Sequence, residues 1–541
     1  MTALPILIFA IIALISAYIF YGRYLVRKFS IDPSRKTPAH ELRDNVDYVP
    51  AKMPVLLGHH FASIAGASPI VGPIIAAVFG WIPGLLWLLI GGIFMGAVHD
   101  FSSLVVSIRH QGRSIGEVIE EQIGNNGKRL FLIFGMATLI LVVAVFTDIV
   151  ARTFVKTPAT GLASVLFILL AIIFGFVINR LKAPLGLSTV VGVVFLFLAI
   201  VLGFKYGGLF QLSYTTWVWT ILAYIFVAAV TPVWMLLQPR DYLNSFLLYA
   251  MLLGGIVGLF IMNPEVHMPQ FGGFDTDLGY MFPILFVTIA CGAISGFHSL
   301  VASGTTAKQL DSESDARPVA YGGMLIETLL AVLALIAVAV LSFGDYSEMI
   351  KHGPVYIFSS SMGRFMSAFG LPQEMGTVFT ALAVSAFALT SLDTSTRLAR
   401  FSFQELFMEK GESKVPLLNN RYLGTLVIVL LGGALTLSGQ FRAIWPIFGS
   451  ANQMLAALAL LAVSLWLANR DKDRWFVVFP MYFMFAVTLT ALGNLVIHNF
   501  FISENYLLGI IALILFVLSL LLSFMAYNRL KSRRSNVMQV N

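Results

Sequence analysis

His59, His60, His99, Asp100, His298, Glu327 and Asp393 all lie inside long apolar runs. A titratable side chain in such a run is costly in lipid and marks a functional position by default. Histidine beside carboxylate is the pairing of a proton relay, because imidazole changes charge near neutral pH. The same groups could equally hold a cation. A carboxylate withdrawn from water can exchange a proton, and a neighbouring histidine can pass it on. His99, Asp100 and Glu327 are therefore the core of the expected relay, with His59, His60 and Asp393 as further members. For Asp393 and His59 a plainer role stands beside this one: reaching the interface, or pairing with Arg397 or a loop lysine. Asp148 sits near a span end and reads as interfacial. The hydroxyls Thr390, Ser391, Thr394, Ser395 and Thr396 could form a sodium site with backbone oxygens, or simply bond back to carbonyls of their own helix.

A second kind of chemistry comes from the backbone. "GHHFASIAGASPIVGP" (58–73) and "GAISGFHS" (292–299) put glycine, proline and serine in the middle of apolar runs. An unpaired backbone group costs several kcal/mol in lipid, so a broken helix survives there only where it lines a cavity or is buried in protein. Ser68 before Pro69 reads as an N-cap and first helical position. The half-helix that follows would point free N–H groups and a positive dipole end at a solute, for which a carboxylate is the natural ligand. Gly66, Ala67, Ser68 and Gly72 from one break, and Ser295, Gly296, Phe297 and His298 from the other, are the expected substrate-binding residues. They are expected to face each other across one cavity.

The elements that must carry these residues are membrane helices. The chain of 541 residues is 58% hydrophobic and only 11% charged, with a mean hydropathy of +0.87. No polar stretch is long enough for a soluble domain. Apolar runs predict about fifteen transmembrane spans: 4–25, 55–79, 81–108, 130–150, 161–179, 187–204, 217–237, 244–262, 282–307, 319–343, 373–399, 421–440, 449–468, 474–497 and 506–527. With the N-terminus outside, 28 of the 34 Lys and Arg residues face inward, as the positive-inside rule demands. The net charge of +7 thus needs no nucleic acid. The first apolar run lacks a basic leader and a small-residue cleavage site, and reads as a retained helix. The lone Cys291 excludes a disulfide framework or a thiolate metal site.

The broken spans are the second and the ninth, so they run in opposite directions. Each leads into a long helix and then an amphipathic segment: 113–129, ended by Gly124, and 345–370, interrupted at Gly353–Pro354. This is the signature of an inverted repeat with discontinuous helices, common in secondary transporters. The expected divisions are 1–54 (first helix and cytoplasmic loop), 55–204 (first five-helix repeat), 205–281 (two connecting helices), 282–468 (second, inverted repeat) and 469–541 (two helices and a basic tail).

At "DNVDYVPAKMPVLLGHHFASIAGASPIVGPIIAAVFG" and "MGAVHDFSSLVVSIRHQGRSIGEVI" the chain resembles the carbon-starvation (CstA-type) transporter family. The likeness continues through "GFHSLVASGTTAKQL" and "ALTSLDTSTRLARFSFQE" to about residue 468. It implies uptake of peptides or of pyruvate across the bacterial inner membrane under nutrient limitation, driven by protons. The family is in turn similar to the amino acid–polyamine–organocation superfamily, with its all-α LeuT-like fold. "FALTS" (387–391) resembles the segment that supplies a sodium site there, here Thr390 and Ser391. No enzyme activity and no cofactor beyond the coupling ion, H⁺ or Na⁺, is expected. The expected partners are a small-molecule substrate and membrane lipid, with the oligomeric state open. A competing class is a redox protein with His59, His60, His99 and His298 as haem or metal ligands, but these histidines lack matched facing pairs. A channel would need a filter or charge ring, and an ATP-driven pump a Walker motif; neither is visible.

Overall fold

The computed structural model describes residues 1–44, 47–232, 235–409, 412–413 and 416–540. Lys410 and Lys414, counted above as inward charges, lie outside the described residues, as do Val233 and Trp234 of the expected span 217–237. Regular structure is helical apart from two hairpins of two-residue strands. In chain order the helices are α1 (Leu4–Phe29), α2 (Met53–Ile64), α3 (Ser68–Phe79), α4 (Trp81–Arg109), α5 (Ile115–Ile123) and α6 (Asn125–Lys156). Next come α7 (Pro158–Asn179), α8 (Leu185–Tyr206), α9 (Tyr214–Val230), α10 (Leu237–Met262), α11 (Met281–Thr288), α12 (Gly296–Gly304) and α13 (Gly323–Ala339). The last are α14 (Pro354–Ser367), α15 (Gln373–Leu406), α16 (Arg421–Leu437), α17 (Phe441–Ala468), α18 (Trp475–Ile502) and α19 (Tyr506–Met525).

Among the described residues, eleven helices are long and apolar enough to cross a membrane, or twelve with α2–α3 taken as one bent span. The sequence count of fifteen also included α9 and α16, of 17 residues each, and the α11–α12 segment. Seventeen residues rise only about 26 Å, short of a hydrocarbon core of roughly 30 Å. The protein is a multi-pass helical membrane protein.

Burial separates core from rim. The apolar stretches of α17 and α15 are 94% and 89% buried, those of α8 and α1 only 22% and 28%. The long helices α6 and α15 pack along each other through the centre, and α17 lies against α6. Ser114 caps α5 by accepting from the Glu117 N–H at 3.3 Å, and Gly124, at φ +100°, ends it. Gly353, at φ +101°, likewise turns the chain into α14. We call the end at which α1 finishes the basic face, and the other end the opposite face.

Both breaks are present. Ala65–Ala67 separate α2 from α3, whose axes bend by 45°. Ser68 is the first residue of α3 and Pro69 the second, one place later than the sequence reading. The reason is Ala67, whose carbonyl already accepts from the N–H groups of Ile70 and Val71 at 3.1 and 3.0 Å. The second break covers 289–295, three residues before the quoted motif, and His298 falls in the first turn of α12. Glycine lets these segments touch. A Cβ on Gly72 would sit 2.6 Å from the Thr288 carbonyl, and one on Gly96 would sit 2.3 Å from the Ala293 carbonyl.

Candidate functional site

α4 carries His99 and Asp100 just beyond a π-helical turn, Gly92–Gly96. Such turns concentrate at functional positions. Asp100 stands between two imidazoles: His99 Nδ1 is 2.8 Å from its Oδ1, and His298 Nδ1 of α12 is 2.8 Å from its Oδ2. The far nitrogen of His298, Nε2, is 3.4 Å from Glu327 Oε2 on α13. All four side chains have no solvent exposure. The result is a continuous line, His99–Asp100–His298–Glu327, across three helices. Glu327 has no hydrogen-bond donor to either oxygen, and His99 Nε2 is also unpartnered. Buried polar groups are normally satisfied, so these open positions are where a proton, a water or a solute group would be received. His60 lies close by. Its Nδ1 is 2.8 Å from Thr306 Oγ1, and its ring borders Gly323, one turn from Glu327.

The two breaks meet. Besides the Gly72–Thr288 contact, a Cβ on Gly292 would lie 3.8 Å from Pro69 Cα. They differ in what satisfies them. At the second break, the Trp87 indole donates to the Ile289 carbonyl at 2.9 Å and Thr328 Oγ1 to the Gly292 carbonyl at 3.2 Å. Asn452 of α17 fills the start of α12: its Oδ1 accepts from the Phe297 N–H at 2.9 Å, and its Nδ2 donates to Ser295 Oγ at 3.0 Å. A Cβ on Gly296 would meet the Asn452 carbonyl at 2.2 Å. At the first break, Ser68 Oγ is 1% exposed and unpartnered. Gly66 opens toward Ser391 Oγ and the Phe146 ring, which a Cβ there would meet at 2.6 and 2.8 Å. Ser391 Oγ is unpartnered too, whereas Thr390, Ser395 and Thr396 bond back to carbonyls of α15.

Of the expected residues, His59 and Asp393 belong to a separate network. Arg240 of α10 pairs with Asp393 of α15 and with the Tyr224 hydroxyl, and lies 3.3 Å from Asp241. Tyr224 donates to Asp393 Oδ2 at 2.9 Å. His59 Nδ1 is 3.5 Å from Asp241 Oδ2. Arg397 is not the partner of Asp393; it donates to the carbonyls of Ala228 and Thr231. One turn along α10, Asn244 donates to Thr390 at 3.3 Å. Arg240, Asp241 and Asn244 escaped the sequence reading because α10 begins at Leu237, not near 244. Pro239 in the first turn is the signal that could have placed it. His59 also lines a cleft at the basic face with Val55, Leu56, Phe174, Pro239 and Tyr242. Asp148 is held by Arg152 and by Tyr214, at 2.6 and 2.5 Å. Among the described residues, no group of three or more His, Cys, Asp or Glu is arranged to hold a metal ion.

Two discontinuous helices meeting inside a helical bundle, beside a buried line of titratable groups, define the class of protein. The chain belongs to the carbon-starvation family: the model described as "Carbon starvation protein CstA" matches residues 2–351 and 343–491. It is 35% identical to a peptide transporter CstA of Escherichia coli (strain K12), over 90% of this chain and 80% of that one. It is 33% identical to a peptide transporter CstA of Bacillus subtilis (strain 168), over 96% of both. Identity is 33% also to the pyruvate/proton symporter BtsT of E. coli (strain K12), over 91% of this chain and 81% of that one. Among solved structures, a manganese transporter mutant of Eremococcus coleocola matches with a TM-score of 0.52 at 12% identity, over 91% of this chain and 99% of that one. That likeness concerns the fold alone.

Proposed function

We propose that the protein is a secondary active transporter. It imports peptides or pyruvate, small carboxylate-bearing nutrients, across the bacterial inner membrane by proton symport under nutrient limitation. One observation carries the reading. The start of α3, with the buried and unpartnered Ser68, abuts a second break whose own helix start is occupied by Asn452. A carboxylate therefore docks on the first break, at Gly66, Ala67 and Ser68, with Gly72 keeping α3 against α11. Ser295, Gly296 and Phe297 form the opposing wall. His298 then belongs to both parts, bordering the solute and linking Asp100 to Glu327. Proton passage along that line during rearrangement of α2–α3 and α11–α12 couples the pH gradient to solute movement. The test is uptake of labelled pyruvate and of a dipeptide into proteoliposomes, with pH and sodium gradients imposed separately. Accumulation of neither under a pH gradient sinks the reading.

A sodium-coupled reading has its own support. Ser391 Oγ and Asn244 Oδ1 are buried acceptors without donors, and Ser391 faces Gly66. Sodium held by Thr390, Ser391 and backbone oxygens of the first break would tie ion binding to the same hinge. Uptake driven by a sodium gradient at equal pH decides for it.

In this reading the chain has fifteen spans in a LeuT-like inverted repeat, N-terminus outside and basic face in the cytoplasm. Packing favours a different division from the expected 55–204 and 205–281. α10 lies on α2 and α14, while α17 lies on α11 and α5; α9 and α16 touch each other. These relations match when α9–α10 complete the first repeat and α16–α17 the second. The hairpin α7–α8 is then an insertion at the rim. A flexible insert in the α7–α8 turn at 180–184 leaves uptake intact, whereas one in the α16–α17 turn at 438–440 abolishes it. Equal sensitivity of the two turns refutes this division.

A further inference from the structure

We propose that the cleft at the opposite face is a capture site for the carboxylate of the incoming solute. It stands ahead of the Ser68 site and is separated from it by one pair of aromatic rings. The proposal deepens the transport reading above and rests on it. The cleft is lined by Asp148, Arg152 and Lys156 of α6, by His352 just before α14 and Tyr356 in its first turn, and by Phe441 of α17. Its lining carries net positive charge, Arg152 and Lys156 against Asp148. The only carboxylate among the lining residues, Asp148, is already taken by Arg152 and the Tyr214 hydroxyl. Lys156 has no carboxylate within ion-pair distance among the described residues, so its ammonium is free to meet an anion. His352 packs edge-on against Tyr356, ring centroids 5.3 Å apart, beside Lys156 in the same wall. α14 begins in this wall with no acidic residue in its first turn, so its dipole adds to the positive potential. A cleft of net positive charge raises the local concentration of anions.

The cleft-lining residues Asp148 and Ile149 follow closely on Phe146, which adjoins the first break at Gly66. Phe146 lies two residues before Asp148 on α6, with its ring 6.1 Å from that of Phe448 on α17. Both are buried, and the Phe146 ring edge faces Gly66. Lys156 stands ten residues, about 15 Å, further along α6 than Phe146, so a solute held there must descend the cleft before it meets the rings. Capture by charge outside, then passage between the rings, orders the two sites along one path. A carboxylate is the ligand the path selects, because the outer cleft offers cations and the inner site offers a helix start.

The test is initial-rate uptake of labelled pyruvate by the full chain in proteoliposomes at low ionic strength. For Lys156→Gln combined with His352→Gln, KM rises about fivefold while the maximal rate holds, and the difference shrinks as salt is added. Lys156→Glu raises KM further, and Lys156→Arg rescues it, which a merely structural role would not produce. A zwitterionic dipeptide shows a smaller change. A double variant with wild-type KM at low salt, or one that lowers only the maximal rate, overturns the outer site while leaving the transport reading intact. Wild-type protein that concentrates neither solute overturns the transport reading and this site with it.

Discussion

Glu327 and Asp100 are both carboxylates without solvent exposure, yet their surroundings are opposite. Asp100 is gripped by two imidazoles, while Glu327 has one histidine nitrogen at 3.4 Å and no hydrogen-bond donor. In the proposed coupling each of these groups gains and loses a proton during the cycle, which an amide at either position would prevent. Glu327→Gln and Asp100→Asn are each expected to abolish uphill uptake driven by a pH gradient while leaving solute exchange largely intact, since exchange moves no net proton. Variants that still concentrate solute would make these residues structural. Arg240 gives a stability prediction. Removing one partner of a buried ion pair typically costs about 3–5 kcal/mol, whereas replacing both by apolar groups is often neutral. Arg240→Leu should therefore lower the thermal stability of the detergent-solubilised protein markedly, and Arg240→Leu with Asp393→Leu should recover part of it. Equal melting of both variants would show that the pairing contributes nothing. At this scale the sequence was legible wherever a polar residue interrupted an apolar run, as at His99, Asp100 and Glu327. It was opaque at Arg240 and Asp241, where the polar cluster "QPRD" reads as a loop although tertiary packing buries its last three residues inside a helix.

The broken helices were legible as elements because glycine and proline in an apolar run leave few alternatives in lipid. Their boundaries were not, since Trp87, Thr328 and Asn452 reach the second break from elements distant in sequence and decide where its backbone is satisfied. The contact between the two breaks yields a prediction. At Gly72 the obstacle to a Cβ is the backbone at Thr288 and Ile289, which cannot rotate away. Overpacking of this kind costs about 1–3 kcal/mol. Gly72→Ala should reach the membrane at normal levels and lose most uptake, because α3 can no longer seat against α11. Unimpaired uptake by this variant would mean that the two segments separate more widely during transport than they do here.

For the whole molecule, the charge distribution and the proposed count of fifteen spans predict termini on opposite sides. Reporter fusions are expected to find the N-terminus outside and the C-terminus in the cytoplasm; both on one side would show that a span has been miscounted. The expected orientation rests on sums over many loops, which survive errors at single boundaries. The packing of α9 against α16 was not readable, because both are short and the hairpin α7–α8 is as apolar as the core helices. The Phe146–Phe448 contact carries one last consequence. If two rings divide the outer cleft from Gly66, they are electrical insulation as well as a barrier to solute, and their thickness sets how well the protein holds the gradients it spends. Phe146→Ala with Phe448→Ala should turn a silent protein into one that passes steady current in a planar bilayer, and a bilayer that stays silent would place the insulation deeper, at the breaks themselves.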